Sequence, residues 1–323
     1  MSGPARGAVR PSSEARIVLG VDLGGTKLRA ALADDVGTIL AELVEPTVHG
    51  SGAEIVVQVV AALTALEARA GVPPGVVRAA GLGLPLALDP RTGASWSFRN
   101  VPGLGELDVT AAFRGALGVS IALDNDGNCA ALGEGRAGAA IGVADFAVLV
   151  IGTGIGSGIV AGGRLLRGAH GGAGEIAFLP LGSDPWDERN RVLGAYETAV
   201  AGPAVRARLA AALGAGEATT LRRGAGLLDI ATEAAAGDAL AGRLLDEEAR
   251  YVALGIAAIS AVTDPELVVL SGGVGAIGAL LEPVREHVAT LCARPPPIVT
   301  GLLGERAPLV GAIGLALDLT LQT

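Results

Sequence analysis

Residues 16–33 read RIVLGVDLGGTKLRAALA, and this stretch predicts the type of fold. The apolar run Arg16–Val21, rich in β-branched residues, predicts a buried strand, and Leu28–Ala33 predicts a second one. Glycine and threonine between the two runs favour a tight turn. The sequence therefore predicts that a β-hairpin with a glycine-bearing turn begins an α/β domain.

The same layout occurs again at residues 146–161, which read FAVLVIGTGIGSGIVA. Residues 146–163 carry no charge, and a membrane span needs about 18 such residues. Several glycines interrupt the segment, however, and would leave backbone groups poorly satisfied in lipid. We therefore predict a second strand–turn–strand unit, no membrane span, and two related domains.

The rest of the chain alternates predicted strands and helices, which is typical of α/β proteins. Ser51 and Glu54 form a capping-box pattern before a helix that we expect to end near Ala70. One continuous helix is predicted over Glu197–Leu213 from its apolar spacing. A chain of 323 residues is longer than one core usually serves. We predict a small N-terminal α/β domain over residues 15–124, completed by a helix over 308–323, and a larger α/β domain over 125–307.

Charge and cysteine content argue against several classes of protein. The 24 Lys and Arg residues against 33 Asp and Glu residues give a net charge of −9, the wrong sign for general nucleic-acid binding. Two cysteines are too few for a disulfide framework or a four-cysteine zinc site. Residues 1–16 lack the apolar core of a signal peptide, so we expect a cytoplasmic protein.

Three glycine-bearing turns each follow an apolar strand. Each turn can be an ordinary chain reversal, or it can bring backbone N–H groups close to a phosphate. Neither a Walker A motif nor a dinucleotide-binding glycine motif is present. The candidate phosphate-binding residues are Gly24, Gly25, Thr26 and Lys27, then Gly152, Thr153 and Gly154, then Gly272 and Gly273.

Two charged residues flank the first of these turns. Lys27 is the chain's only lysine; its ammonium can meet a phosphate, or it can be a solvated residue at the start of a strand. Asp22 can bind Mg²⁺ through water, or it can be a turn residue that accepts backbone hydrogen bonds.

Asn125 and Asp126 end a short predicted strand, which can hold a carboxylate rigidly. Such a carboxylate can take a proton from an attacking hydroxyl. An Asn-Asp-Gly sequence can equally be a helix cap. Glu175, in a glycine-rich segment, and the candidate phosphate turns favour the catalytic interpretation.

Taken in order, these segments resemble the ROK family of sugar kinases from about Ile17 to the C-terminus. The resemblance rests on VDLGGTK at 21–27, NDGNCAALGE at 125–134, GTGIG at 152–156 and GE at 174–175. It implies a two-domain actin-like ATPase (ribonuclease H-like) α/β fold, with MgATP and a sugar in the cleft between the domains. It also implies a homodimer.

The resemblance implies roles for individual residues. Asp126 corresponds to the family's catalytic base, and Asn125 and Glu175 correspond to ligands of sugar hydroxyls. Asn100, which begins an Asn-x-Pro-Gly segment, and Glu197 correspond to further sugar contacts.

The cofactors that the resemblance implies are ATP and Mg²⁺. The turns at 24–27 and 152–154 correspond to phosphate-binding segments, and Gly272 and Gly273 to the adenosine-binding segment. Asp22 is then expected to contact Mg²⁺ through water.

Two departures from the family pattern concern metal and acceptor. Phe178 stands where many relatives have a histidine, and residues 182–187 stand where they have a cysteine-rich zinc loop. We therefore predict no zinc site, and His170 is a poor substitute ligand. Phe178 also cannot donate the hydrogen bond that a histidine at this position would offer to the sugar. This loss argues against plain glucose as the acceptor, because removing the partner of a hydroxyl changes selectivity.

The expected reaction is transfer of the γ-phosphoryl group of MgATP to a hydroxyl, the 6-hydroxyl, of a hexose such as glucose. An aminosugar or a C7-cyclitol of secondary metabolism is the alternative acceptor. A sugar-responsive ROK transcription regulator is an alternative of another class. The acidic net charge and the short segment before the first strand argue against the regulator.

Overall fold

The computed structural model describes residues 16–96 and 101–321. In this part of the chain the strands are β1 (Ile17–Leu23), β2 (Lys27–Ala33), β3 (Ile39–Pro46), β4 (Val77–Leu84), β5 (Ala87–Leu88), β6 (Ser95–Trp96), β7 (Ser120–Asn125), β8 (Phe146–Ile151), β9 (Ile155–Ala161), β10 (Arg164–Leu165), β11 (Leu267–Ser271) and β12 (Ile298–Thr300). The α-helices are α1 (Gly52–Ala70), α2 (Val109–Leu117), α3 (Asp126–Ala137), α4 (Glu188–Leu193), α5 (Glu197–Val200), α6 (Gly202–Gly214), α7 (Leu227–Ala235), α8 (Ala239–Thr263), α9 (Gly272–Gly275), α10 (Gly278–Leu291) and α11 (Ala307–Leu321).

The first compact unit comprises the described residues among 1–82, 98–123 and 312–323. Its sheet has the order β3-β2-β1-β4-β7, and β1 and β2 form the predicted antiparallel hairpin. The predicted capping box of α1 is confirmed, because the Ser51 hydroxyl accepts from the Glu54 N–H and the Glu54 carboxylate accepts from the Ser51 N–H. The edge strand β3 was not indicated by the sequence, because its partly exposed residues lack a clear apolar run.

The second compact unit comprises the described residues among 83–97 and 124–311. Its sheet has the order β10-β9-β8-β11-β12, with β8 and β9 antiparallel and β11 parallel to β8 and β12. The predicted strand–turn–strand structure of 146–161 is therefore confirmed. No helix in the described ranges is long and apolar enough to cross a bilayer. The division into domains at residues 124 and 125 stays a prediction.

The two sheets share one plan: a central strand, its antiparallel hairpin partner and an edge strand on one side, and two further strands on the other. The larger core lies in the second unit, where alternate residues of β8 and β11 pack against helices. Leu149 and Leu270 from the sheet, and Val252 and Ile256 from α8, are fully buried there. The repeated hairpin in the sequence thus corresponds to a repeated sheet.

The predicted continuous helix over Glu197–Leu213 is wrong, because the chain breaks after Val200 into α5 and α6. Pro203, in the first turn of α6, has no N–H to continue the earlier helix. The Gly202 N–H donates instead to the Gly152 carbonyl at 2.8 Å. The break therefore places the start of α6 against the β8–β9 turn.

Glu134, near the end of α3, is a fully buried carboxylate that accepts only backbone hydrogen bonds among the contacts described. Its Oε2 accepts from the N–H groups of Ala139 at 2.7 Å and Leu302 at 3.2 Å. Its Oε1 accepts from the Leu303 N–H at 3.1 Å. One side chain thus joins α3 to the segment that precedes α11.

Candidate active site

The candidate site is built on the start of α3. Asn125 caps this helix, since its Oδ1 accepts from the N–H groups of Gly127 at 2.8 Å and Asn128 at 3.4 Å. Asp126 is the first helical residue, and its Oδ1 also accepts from the Gly127 N–H at 2.8 Å. The capping interpretation of Asn125 is therefore confirmed, and capping leaves the adjacent Asp126 at the same end of the helix.

Small residues hold α3 directly against β9. A methyl group on Gly158 would lie 2.5 Å from the Gly127 carbonyl oxygen and 2.6 Å from the Ala131 Cβ, so any larger residue would separate the two elements. This contact brings the Asp126 Oδ1 within 3.9 Å of the position that a Cβ on Gly156 would occupy. The Asp126 carboxylate is thereby placed over the β8–β9 hairpin.

The surroundings of Asp126 favour its protonated form more than water does. Burial raises the pKa of the Asp126 carboxyl to about 6, and the negative charge of Glu197 adds to that rise. The hydrogen bond from the Gly127 N–H acts in the opposite direction. A carboxyl group with this pKa can exchange a proton near neutral pH.

Glu175 lies at the end of the glycine-rich loop 168–175. The Ser157 hydroxyl donates to the Gly174 carbonyl at 2.8 Å, which fixes the end of the loop on β9. The Asn125 Nδ2 donates to the Glu175 Oε1 at 3.3 Å and to the Leu86 carbonyl at 3.1 Å. The structure therefore brings Asn125, Asp126 and Glu175 together.

Glu197 lies beside the same group of residues, and the preceding Tyr196 fixes its position. Tyr196 is fully buried, and its hydroxyl donates to the Tyr251 carbonyl at 3.0 Å, so the start of α5 is anchored on α8. The Glu197 Oε2 accepts from the Ile155 N–H at 3.0 Å, at the start of β9. Glu197 is therefore held beside the β8–β9 turn, and its charge acts on Asp126.

Two of the glycine turns meet at the end of β8. The Gly152 N–H donates to the Gly154 carbonyl at 2.9 Å, which closes the turn on itself and leaves Thr153 exposed. Gly272 has a φ of +81°, and a methyl group there would lie 2.5 Å from the Ile151 carbonyl oxygen, so this position requires glycine. The predicted segments at 152–154 and 272–273 thus lie at one end of the second sheet.

The first turn lies in the other unit. The Gly24 N–H donates to the Lys27 carbonyl at 2.9 Å, and the buried Thr47 hydroxyl donates to the Gly24 carbonyl at 2.7 Å. Asp22 is half-buried on β1 opposite Arg29, and Lys27 begins β2. Gly25 and Thr26 form the bend between them, with Thr26 exposed.

Three further residues discussed in the sequence analysis are Asn100, His170 and Phe178. Asn100 lies outside the described residues. His170 is exposed, and its Nδ1 lies 3.1 Å from the Asp89 Oδ2, which lowers the pKa of Asp89 to about 2. Phe178 is 41% exposed. The described residues contain no group of three or more His, Cys, Asp or Glu side chains able to hold a metal ion.

Asp124 and Arg167 belong to this group of residues, although no local motif singled them out. The Asp124 Oδ2 accepts from the Arg167 Nε at 2.9 Å and forms an ion pair with its Nη2 at 2.7 Å. The two residues are 43 positions apart in the chain, so only the fold brings them together. The short strand ending in Asp124-Asn125-Asp126 was the only signal in the sequence.

The fold is that of a known protein class. The model of the ROK family matches residues 18–319, so this chain belongs to the ROK family. The chain is 33% identical over 313 residues to the bifunctional enzyme NanE/NanK of Brucella suis, covering 96% of this chain and 54% of that protein. It thus spans about half the length of this relative. It is 30% identical to a glucokinase of Halalkalibacterium halodurans, covering 84% and 85%, and 31% identical to an N-acetylmannosamine kinase of Shigella flexneri, covering 84% and 88%.

Solved structures agree with this assignment. The ROK hexokinase of Thermus thermophilus superposes with a TM-score of 0.75 at 34% identity, covering 95% of this chain and 100% of that one. The glucokinase of Streptomyces griseus, solved with glucose and AMPPNP, gives 0.73 at 27% identity, covering 94% and 99%. A ROK transcriptional regulator gives 0.80 at 23% identity, covering 93% and 78%, and this likeness concerns the fold alone. The chain has the α/β actin-like ATPase fold of its family, as predicted.

Proposed function

We propose that this chain is an ATP-dependent sugar kinase that transfers the γ-phosphoryl group of ATP to a hydroxyl of a hexose. The observation that carries the proposal is the grouping of Asp126 with Asn125, Glu175 and Glu197 beside a glycine turn. Relatives whose names include glucokinase and N-acetylmannosamine kinase support it. The regulator alternative has weaker support, since its solved relative is less than 25% identical.

Asp126 is the general base of the proposed reaction. Its carboxylate would accept the proton of the attacking hydroxyl, an effect typically worth about 10²- to 10⁴-fold. Asn125 and Glu175 would bind the neighbouring hydroxyls, and Glu197 would both contact the sugar and raise the pKa of Asp126. Asn100 stays a predicted sugar contact.

The residues of the glycine turns fit a bound nucleotide. A side chain on Gly152 would meet open space, so a phosphate can approach the backbone of this turn closely, and the exposed Thr153 adds a hydroxyl donor. Gly154, Gly272 and Gly273 would complete the nucleotide contacts in this unit. Gly24, Gly25, Thr26 and Lys27 are proposed to bind phosphate through the first unit's turn.

The carboxylate of Asp22, the residue proposed to contact Mg²⁺, is a suitable ligand for this ion. Asp22 offers the oxygen ligand that Mg²⁺ prefers, and this ion usually keeps several waters beside one or two carboxylates. When bound, Mg²⁺ would neutralise charge on the phosphates. We propose that Asp22 holds it through water.

The pH profile of turnover is expected to report Asp126. Because a general base must be ionised, kcat/KM should fall about tenfold per pH unit below about 6, the pKa of Asp126. Glu197→Gln removes a negative charge that raises this pKa, so the acidic limb should move to lower pH. Glu286→Gln, on an exposed position of α10, is the matched control and should leave the limb in place. A profile that is flat from pH 5 to 8, in the range that general-base carboxylates occupy, would contradict the assignment.

Phosphorylation of a panel of acceptors tests the function directly. The panel contains glucose, N-acetylmannosamine, other hexoses and aminosugars, and C7-cyclitols, each assayed with MgATP for ADP release and for the position of the new phosphate. We expect transfer to the 6-hydroxyl of a hexose. An aminosugar or C7-cyclitol acceptor would instead select the alternative that Phe178 suggests. If no member of the panel leads to ADP release, the proposed kinase function is rejected. A gel shift with operator DNA would then test the regulator alternative. The homodimer implied by the family resemblance, and the cytoplasmic location expected from the cysteine content and residues 1–16, stay predictions.

A further inference from the structure

The buried carboxylate of Asp124 is the centre of a network just before the candidate catalytic residues. Its Oδ2 binds the guanidinium of Arg167 through Nε at 2.9 Å and Nη2 at 2.7 Å. Its Oδ1 accepts from the Asn128 Nδ2 at 2.7 Å and from the Asn125 N–H at 2.9 Å. Asp124 is therefore tied to the cap of α3 and to a residue of its first turn.

Arg167 stands at the other end of this network, where the glycine-rich loop begins. The Ala173 N–H donates to the Arg167 carbonyl at 3.1 Å, so the loop closes back on the residue whose side chain holds Asp124. Glu175 follows two residues after this contact. One ion pair thus connects the start of α3 with the loop that carries Glu175.

The two partners differ in exposure. The Asp124 side chain is 5% exposed and the Arg167 side chain is 41% exposed. Removing Arg167 leaves the Asp124 carboxylate its hydrogen bonds from Asn125 and Asn128, whereas removing Asp124 would take these two bonds from the start of α3 as well. Arg167 is therefore the better position for a substitution that loosens the connection while the chain still folds.

We propose that Arg167, acting through Asp124, is a positioning residue that holds the Glu175 loop against the start of α3 and thereby sets affinity for the acceptor. This inference rests on the proposed function for its kinetic consequence. It assigns Arg167 no contact with the reacting atoms. A misplaced binding residue weakens substrate binding in the same way as a lost contact.

Steady-state kinetics of Arg167→Met provide the first test, with glucose and N-acetylmannosamine as acceptors. We expect the acceptor KM to rise roughly tenfold or more, while the KM for ATP changes less than about threefold. Arg167→Lys keeps the positive charge but loses the two-pronged geometry of the guanidinium. Its acceptor KM should lie between those of the unmodified protein and Arg167→Met. Arg164→Met, on the exposed start of β10, is the matched control. If the ion pair is purely structural, Arg167→Met will lower the melting temperature and leave both KM values unchanged. That result would overturn the proposal.

Hydrogen exchange of the full chain gives a readout that does not depend on turnover. Arg167→Met should speed exchange of the amides of 168–175 and of the first turn of α3 by about tenfold, with the rest of the second unit unchanged. Arg164→Met should leave these amides as they are. If the unmodified chain phosphorylates neither sugar, the proposed function fails for these acceptors, and exchange still decides the inference. Equal exchange in the two variants would reject it.

Discussion

Asp126→Asn is expected to abolish phosphorylation and, at the same time, to make the protein more stable at neutral pH. An amide cannot take the proton of the attacking hydroxyl, so kcat should fall by at least about 10²- to 10⁴-fold. The amide oxygen can still accept the hydrogen bond from the Gly127 N–H, so the start of α3 should keep its structure.

The stability effect follows from the sign of the pKa shift. The pKa of Asp126 is about 6 in the folded protein against an ordinary value of 3.8, so the folded state holds its proton more tightly than the unfolded state. Stability is therefore lost as the pH rises from about 4 to 6, and the ionised carboxylate costs up to about 3 kcal/mol above that range. The neutral amide avoids this cost, so the variant should unfold at a higher temperature at pH 7.5 and at nearly the same temperature at pH 4.

Turnover and thermal unfolding of the same preparations check both halves of this prediction. Asp35→Asn, at an exposed position, is the matched control and should change neither quantity. An Asp126→Asn variant with near-normal turnover would remove Asp126 as the base. A variant that is inactive and also less stable at pH 7.5 would show that the carboxylate mainly supports the fold.

Glu134→Ala is expected to cause the largest loss of stability. The substitution removes the acceptor of three partly buried N–H groups, and each such hydrogen bond contributes about 0.5–1.5 kcal/mol. A total of about 1.5–4.5 kcal/mol is a large share of the stability of an ordinary domain. The connection between α3 and the segment before α11 should therefore be lost.

Urea unfolding of the soluble variant measures the change in the free energy of unfolding. If only a small part of the variant folds, the fraction that survives limited proteolysis measures the loss instead. Glu134→Gln keeps one acceptor oxygen and should lose a smaller part of the stability. Glu286→Ala, on the exposed face of α10, should stay within about 0.5 kcal/mol of the unmodified protein. Equal midpoints for Glu134→Ala and Glu286→Ala would show that the three hydrogen bonds add nothing.

The sequence was most informative where local pattern and final structure coincide. Both hairpins were predicted because apolar strands flank glycine turns, and the capping box at Ser51 is a contact between neighbouring residues. The break between α5 and α6 was not predicted, because apolar spacing continues across Pro203 while the deciding contact, Gly202 with Gly152, is distant in the chain.

The candidate site shows the same division. Asn125 and Asp126 were predicted from a short motif at the end of a strand. The ion pair of Asp124 with Arg167 and the buried position of Glu134 depend on loops that meet only after folding. Residue type and spacing can therefore indicate which groups do chemistry, whereas the partners that hold them in place must be read from the fold.

Lys27 has a practical consequence beyond its proposed phosphate contact. The chain carries a single lysine, and the structure places it at the first residue of β2, directly after the Gly24–Thr26 bend. An amine-selective reagent therefore has one side chain to modify, and mass spectrometry can separate that product from modification of the N-terminal amine. The extent of labelling can be followed with and without nucleotide, which gives a footprint of donor binding that requires no turnover and no knowledge of the acceptor.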